Sequence, residues 1–265
     1  MTLPQHLVPS LDGVRAGDEV TVEGDEAHHA VVVRRLRVGE RLTLADGRGR
    51  VATGEVTATA KRAFTVAVVA VDDRPEPRPS VTVVQALPKG ERGELAVEVL
   101  TEIGAARIVP WAAARSVAVW KGERAAKSLA RWRATAREAA KQARRAWHPE
   151  VLPLATTDEV VALVAGVVGV GGVGGVGGVG GVDVAVVLHE DAAEPLAALA
   201  LPADGDLLVV VGPEGGLTDD EVARFVAAGA VAVRLGEEVL RTSTAGVAAV
   251  AALLAQTPRW GGLTS

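Results

Sequence analysis

Beyond residue 80 the chain alternates between two hydrophobic periods, and this alternation limits the possible folds more than any other feature. The runs "VTVVQALP", "RIVPWA", "DVAVVLHE", "DLLVVVGPE" and "AVAVRLGE" read as buried strands. Helical patterns stand between them over 91–104, 123–147, 191–200, 218–229 and 242–256. Strands and helices alternating in this way predict an α/β domain with a largely parallel sheet. Ligands of such sheets sit beyond the carboxyl ends of the strands. The "LHE" end, the "GPEGG" turn and the "LGEEVLRTSTAG" end all fall there.

A different pattern precedes residue 73. "ERLTLAD", "RVATGEVTATA" and "AFTVAVVAV" alternate as strands, Asp46-Gly47 offers a tight turn, and "DEAHHAVVVRRL" can form one short helix capped by Asp25. The prolines of "VDDRPEPRPS" favour a stiff connector. The expected organisation is a β-rich module over 1–72, a linker over 73–80 and the α/β domain over 81–265. Within the last, 166–183 is a Gly/Val low-complexity loop. It contains a formal dinucleotide glycine pattern from Gly169 to Gly174, but a helical pattern precedes it and a strand follows, the reverse of what that fingerprint needs.

Composition excludes several chemistries. With no cysteine the chain has no disulfide framework, thiolate metal site or cysteine nucleophile, and its five histidines lack metal-ligand spacing. The opening "MTLPQHLVPS" lacks a signal peptide's basic start and apolar core, and no uninterrupted apolar segment suits a membrane span. A cytoplasmic protein with no membrane and no metal partner is expected.

The glycine turn narrows the ligand. Thr218-Asp-Asp-Glu221 is a capping box, which satisfies the helix donors that a phosphate cradle would leave open, and Glu214, Asp219, Asp220 and Glu221 would repel an added anion. The turn therefore suits a neutral or cationic ligand, or else merely reverses the chain. In the second turn Thr242 or Ser243 can cap a helix, and Ala245 and Gly246 permit close backbone approach. His189, beside Glu190, either touches a ligand or is a satisfied structural histidine.

Charge is segregated along a chain whose formal net charge is −5. In the helical pattern 123–147, Leu129, Trp132, Ala136, Ala139, Ala143 and Trp147 form an apolar stripe, and Arg131, Arg137 and Arg145 stand among the basic residues of the other faces. Arg34, Arg35 and Arg37 form a second cluster. Each is either a solvated face or part of a grip on a phosphate backbone, which makes RNA a reasonable partner.

Taken together, these stretches resemble the RsmE-type small-subunit rRNA uridine N3-methyltransferases of the SPOUT superfamily. The likeness runs in order through "HHAVVVRRLRVGE", "KGERGELAVEVLTEIGAARIVPW", "REAAKQARRAWHPEV", "VGPEGGLTDDEV" and "LGEEVLRTSTA". It implies a small PUA-like β-barrel followed by a SPOUT-type parallel sheet with a C-terminal trefoil knot, a homodimer, and action on 16S rRNA of the small ribosomal subunit. It implies S-adenosylmethionine held at Leu188, His189 and Glu190; at Gly212, Pro213, Glu214, Gly215 and Gly216; and at Leu235, Gly236, Leu240, Thr242, Thr244 and Ala245. That donor carries a sulfonium and no phosphate, which is compatible with an acidic, self-capped turn.

For the reaction, Arg241 is the candidate to stabilise developing charge, with Arg92 and Glu102 as candidates to position substrate or as ordinary ion pairs. The sequence departs from the family pattern at Val99, where many members have Lys. Ala143-Arg144 replaces the usual Ser-Gly, and Ser243 replaces a Glu. A ribose 2′-O-methyltransferase of the same superfamily, a non-catalytic RNA-binding assembly protein and a nicotinamide oxidoreductase are the alternatives. The PUA-like module and the complete order of blocks disfavour the first, and the inverted glycine pattern disfavours the last.

Overall fold

The computed structural model describes residues 3–166 and 182–261. The Gly/Val repeat and its dinucleotide-like pattern lie outside the described residues. The chain divides into two compact units, Met1–Glu76 with Ala140–His148, and Pro77–Ala139 with Pro149–Ser265.

The first unit contains β1 (Gln5–Leu7), β2 (Glu19–Glu23), α1 (Gly24–His28), β3 (Arg41–Ala45), β4 (Arg50–Ala60) and β5 (Ala63–Asp73). The strands form a five-stranded sheet in the order β1-β3-β4-β5-β2, so β1 and β2 are its edges rather than a closed barrel seam. Leu42, Leu44, Val56, Phe64 and Val66 supply its buried face, as the alternation in their strands requires. The helix expected over "DEAHHAVVVRRL" is shorter. After α1 the chain makes a π-helical turn, His29–Val33. Asp25 does not cap α1: Glu23 holds the cap position without a side-chain bond, and Asp25, already inside the first turn, binds Arg62 at 2.7 Å. Asp46 and Gly47 belong to a longer connection in which the Asp46 carboxylate accepts the N–H groups of Arg48 (2.8 Å) and Arg50 (3.2 Å).

A buried ion cluster closes this unit. Glu26 accepts hydrogen bonds from His6 Nδ1 at 2.8 Å and Lys141 Nζ at 2.7 Å. Burial alone would raise the Glu26 pKa, but the hydrogen bonds and charges of His6 and Lys141 outweigh it and hold the carboxyl down from 4.5 to about 2. A carboxyl depressed on folding contributes stability that is complete above its unfolded value and vanishes as pH falls through the folded one. Glu26→Gln should therefore be less stable than the parent at neutral pH. The gap should close between pH 4.5 and about 2 when both are followed by near-ultraviolet circular dichroism. Parallel acid-unfolding curves would show that the cluster adds nothing.

The second unit is a seven-stranded sheet in the order β10-β12-β9-β11-β6-β7-β8, from β6 (Ser80–Ala86), β7 (Arg107–Trp111), β8 (Glu150–Val151), β9 (Val184–Leu188), β10 (Glu194–Pro195), β11 (Asp206–Val211) and β12 (Val231–Arg234). Every pairing in it is parallel. Its helices are α2 (Arg92–Ile103), α3 (Glu123–Gln142, whose end from Ala140 belongs to the first unit), α4 (Thr157–Val164), α5 (Asp219–Ala227), α6 (Thr242–Ala255) and α7 (Pro258–Gly261). The unbroken apolar runs reflect burial on both faces. Val81, Val83, Leu207, Val209 and Val211 pack with Leu100, Val250 and Leu253 of α2 and α6. Val84, Leu208 and Val210 point to the opposite face, with Val160 of α4 and Phe225 of α5.

Several expected boundaries change. No helix covers 191–200; Glu194 and Pro195 pair with β12 at the sheet edge, and Leu196–Ala198 is a single 3₁₀ turn. Proline in a helix interior costs a hydrogen bond and a clash, whereas an edge strand tolerates it. The linker shortens to 74–79, because β5 runs to Asp73 and β6 starts at Ser80. Helix α3 stops at Gln142 rather than continuing to Trp147, so Ala143 is exposed and leaves the apolar stripe. Beyond it, Trp147 Nε1 donates to Arg74 O at 2.8 Å and His148 N–H to Gly47 O at 2.9 Å, which ties this segment to the first unit. The span 81–265 is thus not one compact unit throughout. Among the described residues no helix is long and apolar enough to cross a membrane.

Candidate functional site

Strand order places the site. From β6 the chain adds β7 and β8 on one side, then returns to build β9, β11 and β12 on the other. The carboxyl ends of β11, β9 and β12 consequently lie side by side, and the turns leaving them enclose a cavity of about 610 Å³.

The first wall comes from β9. Leu188, His189 and Glu190 line the cavity. The His189 N–H continues the ladder to Val233 O at 2.9 Å, and its Nδ1 accepts the Asp191 N–H at 3.2 Å. The ring therefore orders its own turn as well as facing the cavity.

The second wall is the glycine turn, Gly212 to Gly216, all of it in the lining. Its glycines act differently from the expected backbone approach to a ligand. A Cβ on Gly212 would lie 3.0 Å from Leu217 Cγ, and one on Gly215 would lie 3.0 Å from Arg115 Cβ, so both make room for the protein itself. Gly216 has φ +72, a left-handed conformation that side chains resist, and its N–H turns back to Pro213 O at 2.9 Å. The capping box is formed. Thr218 Oγ1 accepts the Glu221 N–H at 3.2 Å, and Glu221 Oε2 accepts the Thr218 N–H at 3.0 Å. Glu221 is only 2 % exposed and also accepts the Ala114 N–H at 2.8 Å, tying the turn to the loop after β7. Glu214 accepts the Lys89 N–H at 3.0 Å.

The third wall follows β12. Leu235, Gly236, Leu240, Arg241, Thr242 and Ala245 line it. Neither Thr242 nor Ser243 caps α6: Arg241 is the cap residue, and its carbonyl accepts the N–H groups of Thr244 and Ala245, each at 2.8 Å. Thr244 is absent from the lining, and its hydroxyl donates back to Arg241 O at 3.2 Å. The Arg241 guanidinium is exposed at the cavity wall and has no hydrogen bond or ion pair among the described residues.

Sequence reasoning missed Arg115. Its Nη1 donates to Leu217 O at 3.2 Å and Gly215 O at 3.4 Å, and its stem packs under Gly215. The signal available was its place just beyond the carboxyl end of β7, in an otherwise small-residue loop.

Arg92 and Glu102 do not reach the cavity wall. Both are exposed on α2, near its opposite ends, and at 1.5 Å rise per residue Glu102 lies about 15 Å along the axis from Arg92, toward the amino edge of the sheet. Arg34, Arg35 and Arg37 are exposed after the π-helical turn, with Arg35 at φ 58. Arg131 pairs with Glu94 at 3.2 Å, Arg137 is exposed, and Arg145 belongs with the first unit.

The electrostatics of the wall are mixed, with acid in excess. Glu190, Asp191, Glu214, Asp219, Glu237 and Glu238 face Arg115, Arg234 and Arg241. With the Gly216 N–H on Pro213 O, the Thr218 N–H on Glu221 and acid in excess on the wall, this cavity suits a ligand carrying positive charge better than a phosphate.

Comparison with known proteins agrees with that chemistry. A family model described as an RNA methyltransferase domain matches residues 74–254, and one described as an RNA methyltransferase PUA domain matches 22–69. The chain is 46% identical over 244 residues to the ribosomal RNA small subunit methyltransferase E of Mycobacterium tuberculosis, covering 92% of this chain and 89% of that one. It is 30% identical over 245 residues to the protein of the same name from Bacillus subtilis, covering 89% and 90%. Among solved structures, a ribosomal RNA small subunit methyltransferase E from Neisseria gonorrhoeae bound to S-adenosyl methionine superposes with a TM-score of 0.79, at 28% identity over 95% of this chain and 97% of that one. A methyltransferase from Legionella pneumophila, also with that cofactor bound, gives 0.81 at 25% identity over 97% and 98%.

Proposed function

The chain belongs to the RNA methyltransferase family of the ribosomal RNA small subunit methyltransferases E, and from that premise we propose that it methylates N3 of one specific uridine in small-subunit rRNA, using S-adenosylmethionine. The observation that carries this reading is the cavity at the carboxyl ends of β9, β11 and β12, whose wall carries acid in excess and whose glycine turn gives the Gly216 and Thr218 N–H groups to the protein's own acceptors. When bound, S-adenosylmethionine supplies a methyl carbon made electrophilic by its sulfonium. The chain's own residues do the rest. The turns at Leu188, Gly212 and Leu235 would hold that donor, and holding it removes much of the entropic cost of bringing N3 to it. As the imide proton passes to water, negative charge grows on the uracil, and the uncommitted Arg241 guanidinium at the amino end of α6 stabilises it. Arg92 and Glu102 take no part in this scheme.

Exposed Arg34, Arg35, Arg37 and Arg137 contact RNA phosphates in the same reading, and the chain works as a homodimer with a knotted donor site. Small subunits from a strain lacking the activity, incubated with the protein and labelled donor, should gain one methyl at uridine N3 when their nucleotides are mapped. Label on a ribose hydroxyl would instead favour 2′-O-methylation.

Gly216 gives a direct test of the donor site. Valine at φ +72 is strained by roughly 1–2 kcal/mol. The turn should relieve that strain by moving, and calorimetry should show donor affinity reduced about tenfold. Parental affinity in a folded Gly216→Val protein would remove the turn from the site.

A further inference from the structure

One buried side chain near this site has no role in the packing alone. Gln85, the penultimate residue of β6, is fully buried. It pairs in register with Val211, whose side of the sheet end opens on the cavity. Its Nε2 donates to its neighbour Ala86 O at 3.1 Å and, across the fold, to Thr242 O at 3.3 Å. Its Oε1 has no hydrogen-bond partner among the described residues. Turning the amide over would aim that oxygen at two carbonyl oxygens, so the orientation is set by the acceptors around it. An apolar residue would fill the same space without leaving a buried acceptor unpaired, which is unfavourable.

The contact with Thr242 gives the amide its meaning. Thr242 begins α6, directly after Arg241, and Arg241, Thr242 and Ala245 together form one wall of the cavity. One turn further on, Gly246 faces the same amide. A Cβ there would lie 3.2 Å from Leu100 Cδ2, 3.3 Å from Val211 Cγ2 and 3.5 Å from Gln85 Oε1. The helix start is thus drawn to β6 by a hydrogen bond at Thr242 and allowed to approach by the missing side chain at Gly246.

We propose that Gln85 is a positioning residue for methyl transfer: through the Thr242 carbonyl it sets the first turn of α6, and so the placement of Arg241 and the donor wall. This rests on the methyltransferase reading above. Gln85 touches neither donor nor base; it acts through α6.

The test replaces Gln85 with methionine, which keeps the shape and removes the donor, and separately replaces Gly246 with alanine, whose Cβ would crowd Leu100 and Val211 one turn beyond Thr242 and so push the start of α6 away from β6. Gln85→Met should unfold within a few degrees of the parent and bind rRNA as the parent does. Its affinity for S-adenosylmethionine should fall about tenfold and its kcat on undermethylated small subunits by at least as much, since small misplacements near a reacting centre cost up to about 100-fold. Gly246→Ala should move both readouts in the same direction, and it decides the matter should Gln85→Met fail to fold. Folded variants with parental donor affinity and kcat would overturn the proposal, as would losses that merely track the unfolded fraction. Failure of the parent to methylate small subunits would refute the proposed reaction, while donor affinity in the variants would still test the role of Gln85 at the cavity wall.

Discussion

Replacing Arg241 with alanine is expected to lower turnover roughly 100- to 1,000-fold, the effect of removing one preorganised donor from a developing negative charge. RNA affinity and its salt dependence should stay close to the parental values. The contrast with Arg115 sets this expectation. Both arginines line the cavity, but Arg115 is committed to the carbonyls of Gly215 and Leu217, whereas no partner holds the guanidinium of Arg241 among the described residues. Arg241 also caps α6, a 14-residue helix whose amino end adds positive potential at the same place. Its backbone role survives truncation, because the carbonyl that accepts from Thr244 and Ala245 remains. Arg241→Lys should recover only part of the rate, since a point charge lacks the planar fork of donors. Single-turnover rates on undermethylated subunits, read beside RNA affinity over a salt series, separate these cases. Full turnover in Arg241→Ala would end its proposed role.

Much of the second unit was legible because its signal is burial. Strands covered on both faces must be apolar throughout, and each run expected as a strand is one. The failures share a different cause: they depend on where single residues close a helix. Arg144 is the clearest case. It sits at φ 53 just past α3, with its N–H on Lys141 O and the N–H of Arg145 on Ala140 O, the paired bonds of a Schellman stop. Glycine there would have announced the end of the helix, and arginine hides it, so the pattern read on to Trp147. At 191–200 the alanines outweighed Pro195, although the ring forbids the helix interior.

The site was legible in its turns and opaque in its supports. Leu188, Gly212 and Leu235 fall at strand ends, where topology sends ligands whatever the fold's details. Which side chains hold those turns depends on loops distant in sequence. Arg115 lies 100 residues from Gly215, and Gln85 lies 157 from Thr242. Neither spacing nor period encodes such contacts. Arg92 and Glu102 illustrate the converse: a motif placed them near the reaction, and the run of α2 from one end of the sheet to the other carries them apart.

Glu221 decides how deep that hidden support goes. As an exposed capping-box partner it would be worth about 1 kcal/mol, and Glu221→Ala would shift stability by no more than that. The structure buries it to 2 % exposure and gives it the N–H of Ala114 besides the N–H and hydroxyl of Thr218. Alanine would leave two backbone donors unpaired in a place water does not reach freely, each costing about 1–3 kcal/mol, so a loss of about 3 kcal/mol is expected. For a unit of this size that is roughly a 6–12 °C fall in melting temperature. Glu221→Gln should fall between. Its amide oxygen can still accept from Thr218, but its NH₂ then meets the Ala114 N–H as a second donor. Donor affinity should drop with the alanine variant even well below its melting temperature, because the glycine turn is released from the loop that carries Arg115. Urea unfolding and donor calorimetry on the same samples make the comparison. A loss near 1 kcal/mol with unchanged donor affinity would return Glu221 to a simple helix cap, and the turn would then owe its shape to Gly216 and Arg115 alone.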